Sequence, residues 1–166
     1  MKVLISDKMS SKVKEILEKN GIEADEKVGL NEEELIKVIP EYDAMIVRSD
    51  TNVTSKILSA GTKLKIVGRA GVGTDNIDKQ KANELGIAVE NTPYGNTNAA
   101  AEHTLTLLMM LAKHIVHSNA SMKNGEWNRN FKGREIKGKT LGLIGFGNVG
   151  SKVGLVAKAL EMNVVV

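Results

Sequence analysis

Apolar and polar positions over the first 95 residues alternate between two rhythms. Short apolar runs at residues 2–6, 22–24, 44–47, 64–68 and 87–89 read as strands. Between them the apolar period lengthens to that of a helix. Ser10 or Ser11 can cap a helix through Lys19, with Val13, Ile16 and Leu17 facing inward and Gly21 closing it. Asn31 followed by Glu34 has the form of a capping box for a helix to Ile39, which Pro40 stops. Thr54 starts a short helix to Ser59, and Asp78 caps another to Leu85 that Gly86 closes.

Five strands separated by helices predict an α/β fold. Right-handed crossovers then give one parallel sheet covered on both faces, in a flavodoxin-like arrangement. From residue 98 to 123 the pattern is one long helix, with Thr97 or Asn98 as its cap and a broad apolar surface from Leu105 to Val116. At that length it would reach ~39 Å, more than the preceding residues can bury, so a spine between domains or a subunit interface is expected. Residues 125–138 are polar and irregular around the single Trp127. The run from Thr140 to Ile144 reads as a strand buried on both faces. Val149, Val153, Val156 and Leu160 then fall on one face of a helix, and a second apolar run occupies residues 163–166.

Between that strand and that helix stands Gly145-Phe146-Gly147-Asn148-Val149-Gly150, a G-x-G-x-x-G. Gly145 permits the turn, Gly147 lets the backbone approach a pyrophosphate, and Gly150 lets helix and strand pack closely. The phosphates would meet the unpaired N–H groups of the helix N-terminus. Such a motif is weak alone and much stronger between a strand and a helix. The acidic residue that reads the ribose belongs ~20 residues further on, at the end of the next strand. The expected layout is a flavodoxin-like domain over residues 1–96. A linking helix and the first βαβ unit of a Rossmann dinucleotide-binding domain follow over residues 97–166, and the whole is expected to be a piece of a longer chain.

In parallel sheets ligands bind beyond the carboxyl ends of the strands. Three polar segments follow strands here: residues 48–51, 69–76 and 91–97. Arg48 and Arg69, each at a strand end and beside a glycine-rich loop, suggest an anion cradle. His103, His114 and His117 lie on the long helix without a third ligand in register and read as structural or surface groups.

Composition narrows the classes. The 166 residues carry a net charge of +3 with scattered basic positions, and aromatics are only 3%, so no stacking platform or basic stripe for nucleic acid is present. With no cysteine there is no disulfide framework or thiolate chemistry. No apolar run has the length of a signal peptide core or a membrane span, and a cytoplasmic location is expected.

With these residues in place the chain resembles the N-terminal half of the D-2-hydroxyacid dehydrogenases, and most of all the branch that oxidises 3-phospho-D-glycerate. The resemblance rests on Val47-Arg48-Ser49 with Thr51, Gly68-Arg69-Ala70-Gly71-Val72-Gly73 with Asp75-Asn76, and Asn91-Thr92-Pro93 with Gly95-Asn96-Thr97. It continues through Ala100-Ala101-Glu102, Ser121-Met122-Lys123, Trp127, Arg129 and Gly138 to Gly142. It implies that Arg48, Ser49, Arg69 and the Gly71 amide hold the carboxylate and phosphate of the substrate, and that Arg129 reaches a neighbouring subunit's site. Val72, Gly145, Gly147, Asn148, Val149 and Gly150 would line the NAD site. The helix over 98–123 would join subunits into a homodimer or homotetramer. The family's catalytic arginine, glutamate and histidine have no counterpart here, so the isolated chain is expected to be inactive and, with unpaired apolar strands, prone to aggregate. Alternatives are a glyoxylate or hydroxypyruvate reductase, or a binding module without chemistry.

Overall fold

The structure, a computed structural model, describes all 166 residues and divides into two compact units, Met1–Gly95 and Asn96–Val166. In the first unit β1 (Lys2–Ile5), α1 (Lys12–Lys19), β2 (Glu23–Glu26) and α2 (Glu32–Val38) are followed by a 3-10 turn at Ile39–Glu41. Then come β3 (Ala44–Val47), α3 (Ser55–Ala60), β4 (Ile66–Arg69), α4 (Lys79–Glu84) and β5 (Ala88–Asn91). All pairings are parallel and the order is β2-β1-β3-β4-β5, the flavodoxin-like order.

Local signals decide several boundaries. The capping box forms at α2: the Asn31 side chain accepts from the Glu34 N–H at 3.0 Å, and Glu34 Oε2 accepts from the Asn31 N–H at 2.9 Å. Thr54 caps α3 and Asp78 caps α4. Ser11 stands at the N-cap of α1 without a side-chain bond, although the Ser10 hydroxyl accepts from the Lys12 N–H at 3.4 Å.

Strand alternation sends Leu4, Met45, Val47 and Val67 to one face, where they are buried with Leu35, Ile39, Tyr42, Ile57 and Leu58. Each such side chain stabilises the fold by roughly 1.5–3 kcal/mol. The other face corrects the expectation of a sheet covered on both sides. Val3, Ile5 and Ala44 are buried there, but Ile46 and Ile66 are half-buried and Ala88 is exposed. The cause is topological. Only the β1-to-β2 connection runs away from β3, so a right-handed crossover places α1 alone on this face. Even α1 buries nothing fully, and Ile16 remains 60% exposed.

In the second unit α5 (Thr97–Ala112) and α6 (Ile115–Lys123) replace the single helix expected over residues 98–123. His114 takes a left-handed backbone conformation with φ 53°. The freed Ala112 carbonyl accepts the Arg134 N–H at 2.7 Å. Histidine is one of the few side chains that enters this region with any frequency. No glycine or proline announces the break. Asn96 is the N-cap of α5, and neither Asn96 nor the expected Thr97 or Asn98 caps it through a side chain.

After an irregular stretch come β6 (Thr140–Gly142), α7 (Asn148–Ala159) and β7 (Asn163–Val165), a parallel βαβ unit. β6 is not buried on both faces: it pairs only with β7, Thr140 and Gly142 are exposed, and Ile144 beyond it is fully exposed. Of the predicted face of α7, Val153 is buried and Val149 and Leu160 are half-buried, while Val156 is exposed; Gly154 and Ala157 complete the buried stripe, with Gly154 set against Leu143, Phe146 and Val164. No helix is long and apolar enough to cross a membrane.

Candidate functional site

The sheet register builds the first site. Ile5 pairs with Ile46, Val47 with Arg69, and Arg69 with Asn91, so the segments leaving β1, β3, β4 and β5 share one edge. Arg48, Ser49, Arg69, Gly71 and Val72 all stand at that carboxyl edge.

Asp7, 2% exposed, organises the β3 loop. Its carboxylate accepts the Arg48 N–H at 2.5 Å, the Thr51 N–H at 3.3 Å and the Thr51 hydroxyl. The Arg48 side chain donates from Nη1 to the Lys8 carbonyl at 3.2 Å, and the Ser49 hydroxyl donates to Asp50 at 3.2 Å. The β4 loop is tied at both ends. Asn91 Nδ2 donates to the Val72 carbonyl at 2.5 Å, and the Thr92 N–H donates to the Gly71 carbonyl at 3.0 Å.

Arg69 lies across its own loop. Its Nε donates to Asn76 Oδ1 at 2.9 Å, and its terminal nitrogens make no bond within the chain. A Cβ on Gly71 would stand 2.3 Å from Arg69 Nη1, so glycine is what lets the guanidinium lie there. The Gly71 amide donates to the Arg69 carbonyl at 2.8 Å, closing a three-residue turn. The N–H groups of Val72, Gly73 and Thr74 have no acceptor in the chain and stand open instead. No ion pair of the chain includes Arg48 or Arg69. Two guanidinium groups without carboxylate partners, beside a run of open amides, can accept an anion with two negative groups. Asp75 Oδ1 borders this loop, 2.8 Å from where a Gly73 Cβ would stand, and limits the anion on that side.

None of the groups with displaced pKa values belongs to this cradle: Glu32, held low by the Thr54 hydroxyl, starts α2, and the others lie near the amino ends of β1 and β3. The Tyr42 hydroxyl donates to Asp25 at 2.8 Å, and Lys2 Nζ is 3.1 Å from the same carboxylate. Tyr42 first and Lys2 second hold the Asp25 carboxyl below its ordinary range. Burial pushes the Tyr42 hydroxyl up, and the Asp25 bond adds to it. This network supports the fold and takes no part in the anion site.

The second unit carries the glycine turn. Gly145 has φ 95°, and a Cβ on Gly150 would meet the Gly145 carbonyl oxygen at 2.3 Å, so the helix start and the turn touch backbone to backbone. Nothing lies within 4 Å of a Cβ built on Gly147, and the N-terminal turn of α7, with Asn148 and Val149, opens beside it. An open hollow at a helix N-terminus fits a pyrophosphate. Val72, assigned on resemblance to the same cofactor, belongs to the first unit's β4 loop and is 39% exposed. Arg129 lies in the irregular stretch of the second unit, exposed and without a hydrogen bond or ion pair.

Asp7, Thr51 and Asn76 build the first site although sequence reasoning assigned them no role. Asp7 could have been found by the rule that picked out Arg48 and Arg69, since it too follows a strand at its carboxyl end.

Comparison with known proteins bears on both sites. The family model described as D-isomer specific 2-hydroxyacid dehydrogenase, catalytic domain, matches residues 3–162. A D-3-phosphoglycerate dehydrogenase of Synechocystis sp. is 52% identical over 97% of this chain, which spans 29% of that protein's length. A hydroxypyruvate reductase of Thermotoga maritima is 49% identical over 82% of this chain and 45% of its own length. The crystal structure of NAD+-bound 3-phosphoglycerate dehydrogenase from Entamoeba histolytica superposes with a TM-score of 0.78 at 35% identity, covering 99% of this chain and 52% of that one. The matched span takes in the five-stranded sheet with its arginine edge and the glycine turn alike, and the chain belongs to the D-isomer specific 2-hydroxyacid dehydrogenase family.

Proposed function

We propose that the carboxyl edge of the five-stranded sheet binds the anionic groups of 3-phospho-D-glycerate in its NAD-dependent oxidation to 3-phosphohydroxypyruvate, a step of serine biosynthesis. The activity is that of a protein of the relatives' full length. The observation that carries the reading is the pair of unneutralised arginines at adjacent strand ends beside open amides. Arg48 and Arg69 supply the charge, and the Ser49 hydroxyl and loop amides orient the carboxylate and phosphate. Residues 1–96 serve as the substrate domain, and residues 97–166 supply the linker and the first βαβ unit of the NAD domain. NAD supplies the hydride acceptor at C4 of its nicotinamide. The turn at Gly145, Gly147, Asn148, Val149 and Gly150 holds its pyrophosphate, and Val72 is assigned to the same cofactor. Arg129 reaches the substrate of a neighbouring subunit, and the exposed apolar side chains Leu107, Leu111 and Val116 pair subunits. Proton transfer is assigned to no residue of this chain.

The identity to a hydroxypyruvate reductase favours one second reading, an unphosphorylated 2-hydroxy acid as substrate. Steady-state kinetics of the protein at the relatives' full length separate the two. Arg48→Ala is expected to raise KM for 3-phosphoglycerate roughly tenfold or more while hydroxypyruvate reduction changes little. Equal loss on both substrates, or efficient turnover of hydroxypyruvate alone, supports the second reading.

A further inference from the structure

Asn76 does more than fill a loop. Its Nδ2 donates to two backbone carbonyls of the β3 loop, Arg48 O at 2.7 Å and Thr51 O at 2.7 Å. Its Oδ1 accepts the Arg69 Nε–H at 2.9 Å. One planar amide therefore spans the β3 loop and the side chain at the end of β4. Its orientation is fixed by chemistry. Turned over, it would face two carbonyl oxygens with an oxygen and an N–H donor with an NH2. The position of its backbone is secured separately: the Asn76 carbonyl accepts the Val53 N–H at 2.8 Å, and the Asp78 N–H reaches the Val53 carbonyl at 3.0 Å. The side chain is thus free to serve as a spacer while the backbone holds the fold.

We infer that Asn76 is a positioning residue, which sets the Arg69 guanidinium and the Arg48-to-Thr51 loop at a fixed separation so that both meet one dianionic ligand. As a statement about ligand binding it rests on the substrate reading above. Its structural half stands without it. Arg69 has its Nε committed to Asn76, which fixes the guanidinium plane and leaves the end-on fork of Nη1 and Nη2 for bidentate recognition of a carboxylate or phosphate. Without the amide, Arg69 would sweep its rotamers and the Arg48-to-Thr51 loop would keep only its bonds to Asp7 and the Arg48 contact with the Lys8 carbonyl.

The test uses the whole chain, isotope-labelled, and three observables: hydrogen exchange of the Arg69 Nε–H, exchange of the Leu4 and Val67 amides, and binding of 3-phosphoglycerate. In the unliganded protein the Arg69 Nε–H should exchange at least about tenfold more slowly than that of exposed Arg129. In Asn76→Ala that protection should vanish and affinity should fall on the order of tenfold or more, while Leu4 and Val67 keep theirs. Asn76→Asp keeps the acceptor for Arg69 but turns an oxygen toward the two carbonyls. It should retain the Nε–H protection and still lose affinity.

An Arg69 Nε–H that exchanges alike in the parent chain and Asn76→Ala overturns the inference. So does Asn76→Ala binding as tightly as the parent. If the parent chain protects the Nε–H but binds no 3-phosphoglycerate, the substrate assignment fails and the positioning role survives, with inorganic phosphate as the probe that then reads its loss.

Discussion

Replacing Asp7 by alanine removes a buried carboxylate that three donors share: the Arg48 N–H, the Thr51 N–H and the Thr51 hydroxyl. A hydrogen bond to a charged acceptor contributes about 1.5–3 kcal/mol, and a buried donor left unpaired costs about 1–3 kcal/mol. The Arg48 residue is exposed and water can serve its N–H, whereas Thr51 is only 8% exposed. Removing the carboxylate also removes its own desolvation cost. The balance for Asp7→Ala is a loss of about 3 kcal/mol, a large share of a stability of about 5–15 kcal/mol. Asp7→Asn differs. Its oxygen can take both N–H groups, and its NH2 can donate to the Thr51 oxygen, so all three contacts survive in neutral form at a cost of about 1 kcal/mol. The two compact units need not unfold together, so a single melting curve is the wrong assay. Hydrogen exchange of the buried strand amides at Leu4, Met45 and Val67 reports the first unit alone. Exchange should accelerate roughly 150-fold in Asp7→Ala and about fivefold in Asp7→Asn. Asparagine as damaging as alanine, or alanine within fivefold of the parent chain, would refute the assignment of Asp7 as the hub of the β3 loop.

Other outcomes follow from single contacts. Gly150→Ala drives a Cβ to within 2.3 Å of a backbone oxygen, so the turn must shift. The second unit should lose about 2 kcal/mol or more, read by hydrogen exchange of the α7 amides. Gly147→Ala meets nothing within 4 Å and should leave folding almost unchanged while weakening NAD binding in the full-length protein. Tyr42→Phe removes the first of the groups that hold the Asp25 carboxyl low. A depressed carboxyl stabilises the fold above its unfolded value, about 3.9, and that contribution is lost as pH falls through the lower folded value. The stability gap between the parent chain and Tyr42→Phe should therefore be full above about pH 4 and close below it, with Asp25 titrating higher in the variant by carboxyl-carbon NMR. His114→Gly relieves a left-handed backbone position and should stabilise the second unit by up to about 1 kcal/mol, whereas His114→Val should destabilise it, both read by hydrogen exchange of the α7 amides.

What could be read from the sequence was what neighbouring residues decide. Asn31 and Glu34 are three apart, and their reciprocal bonds depend on nothing distant. The apolar run at Ala44–Val47 needed no partner to be recognised, and the alternation of five strands with helices was enough to expect a parallel, flavodoxin-like sheet. The long helix failed because its break depends on Arg134, far along the chain, meeting the Ala112 carbonyl. The covered sheet was expected from the number of helices alone, whereas the strand order with right-handed crossovers leaves only α1 on one face. The candidate site was legible as Arg48 and Arg69 at strand ends. Asp7 was equally legible as a residue at a strand end, but its role as a hub was not, because its donors are 41 and 44 positions away. Asn76 stood in a recognisable motif, but a motif does not say that one amide bridges two loops.

The proposed function stands on the carboxyl edge of the five-stranded sheet acting as an anion cradle. A crystal structure of the chain with 3-phosphoglycerate tests it most directly. The predicted result is a ligand whose carboxylate and phosphate lie against the guanidinium groups of Arg48 and Arg69 and the open amides of Val72 to Thr74. A ligand found only at the N-terminus of α7, or no ligand at this edge at saturating concentration, would contradict it.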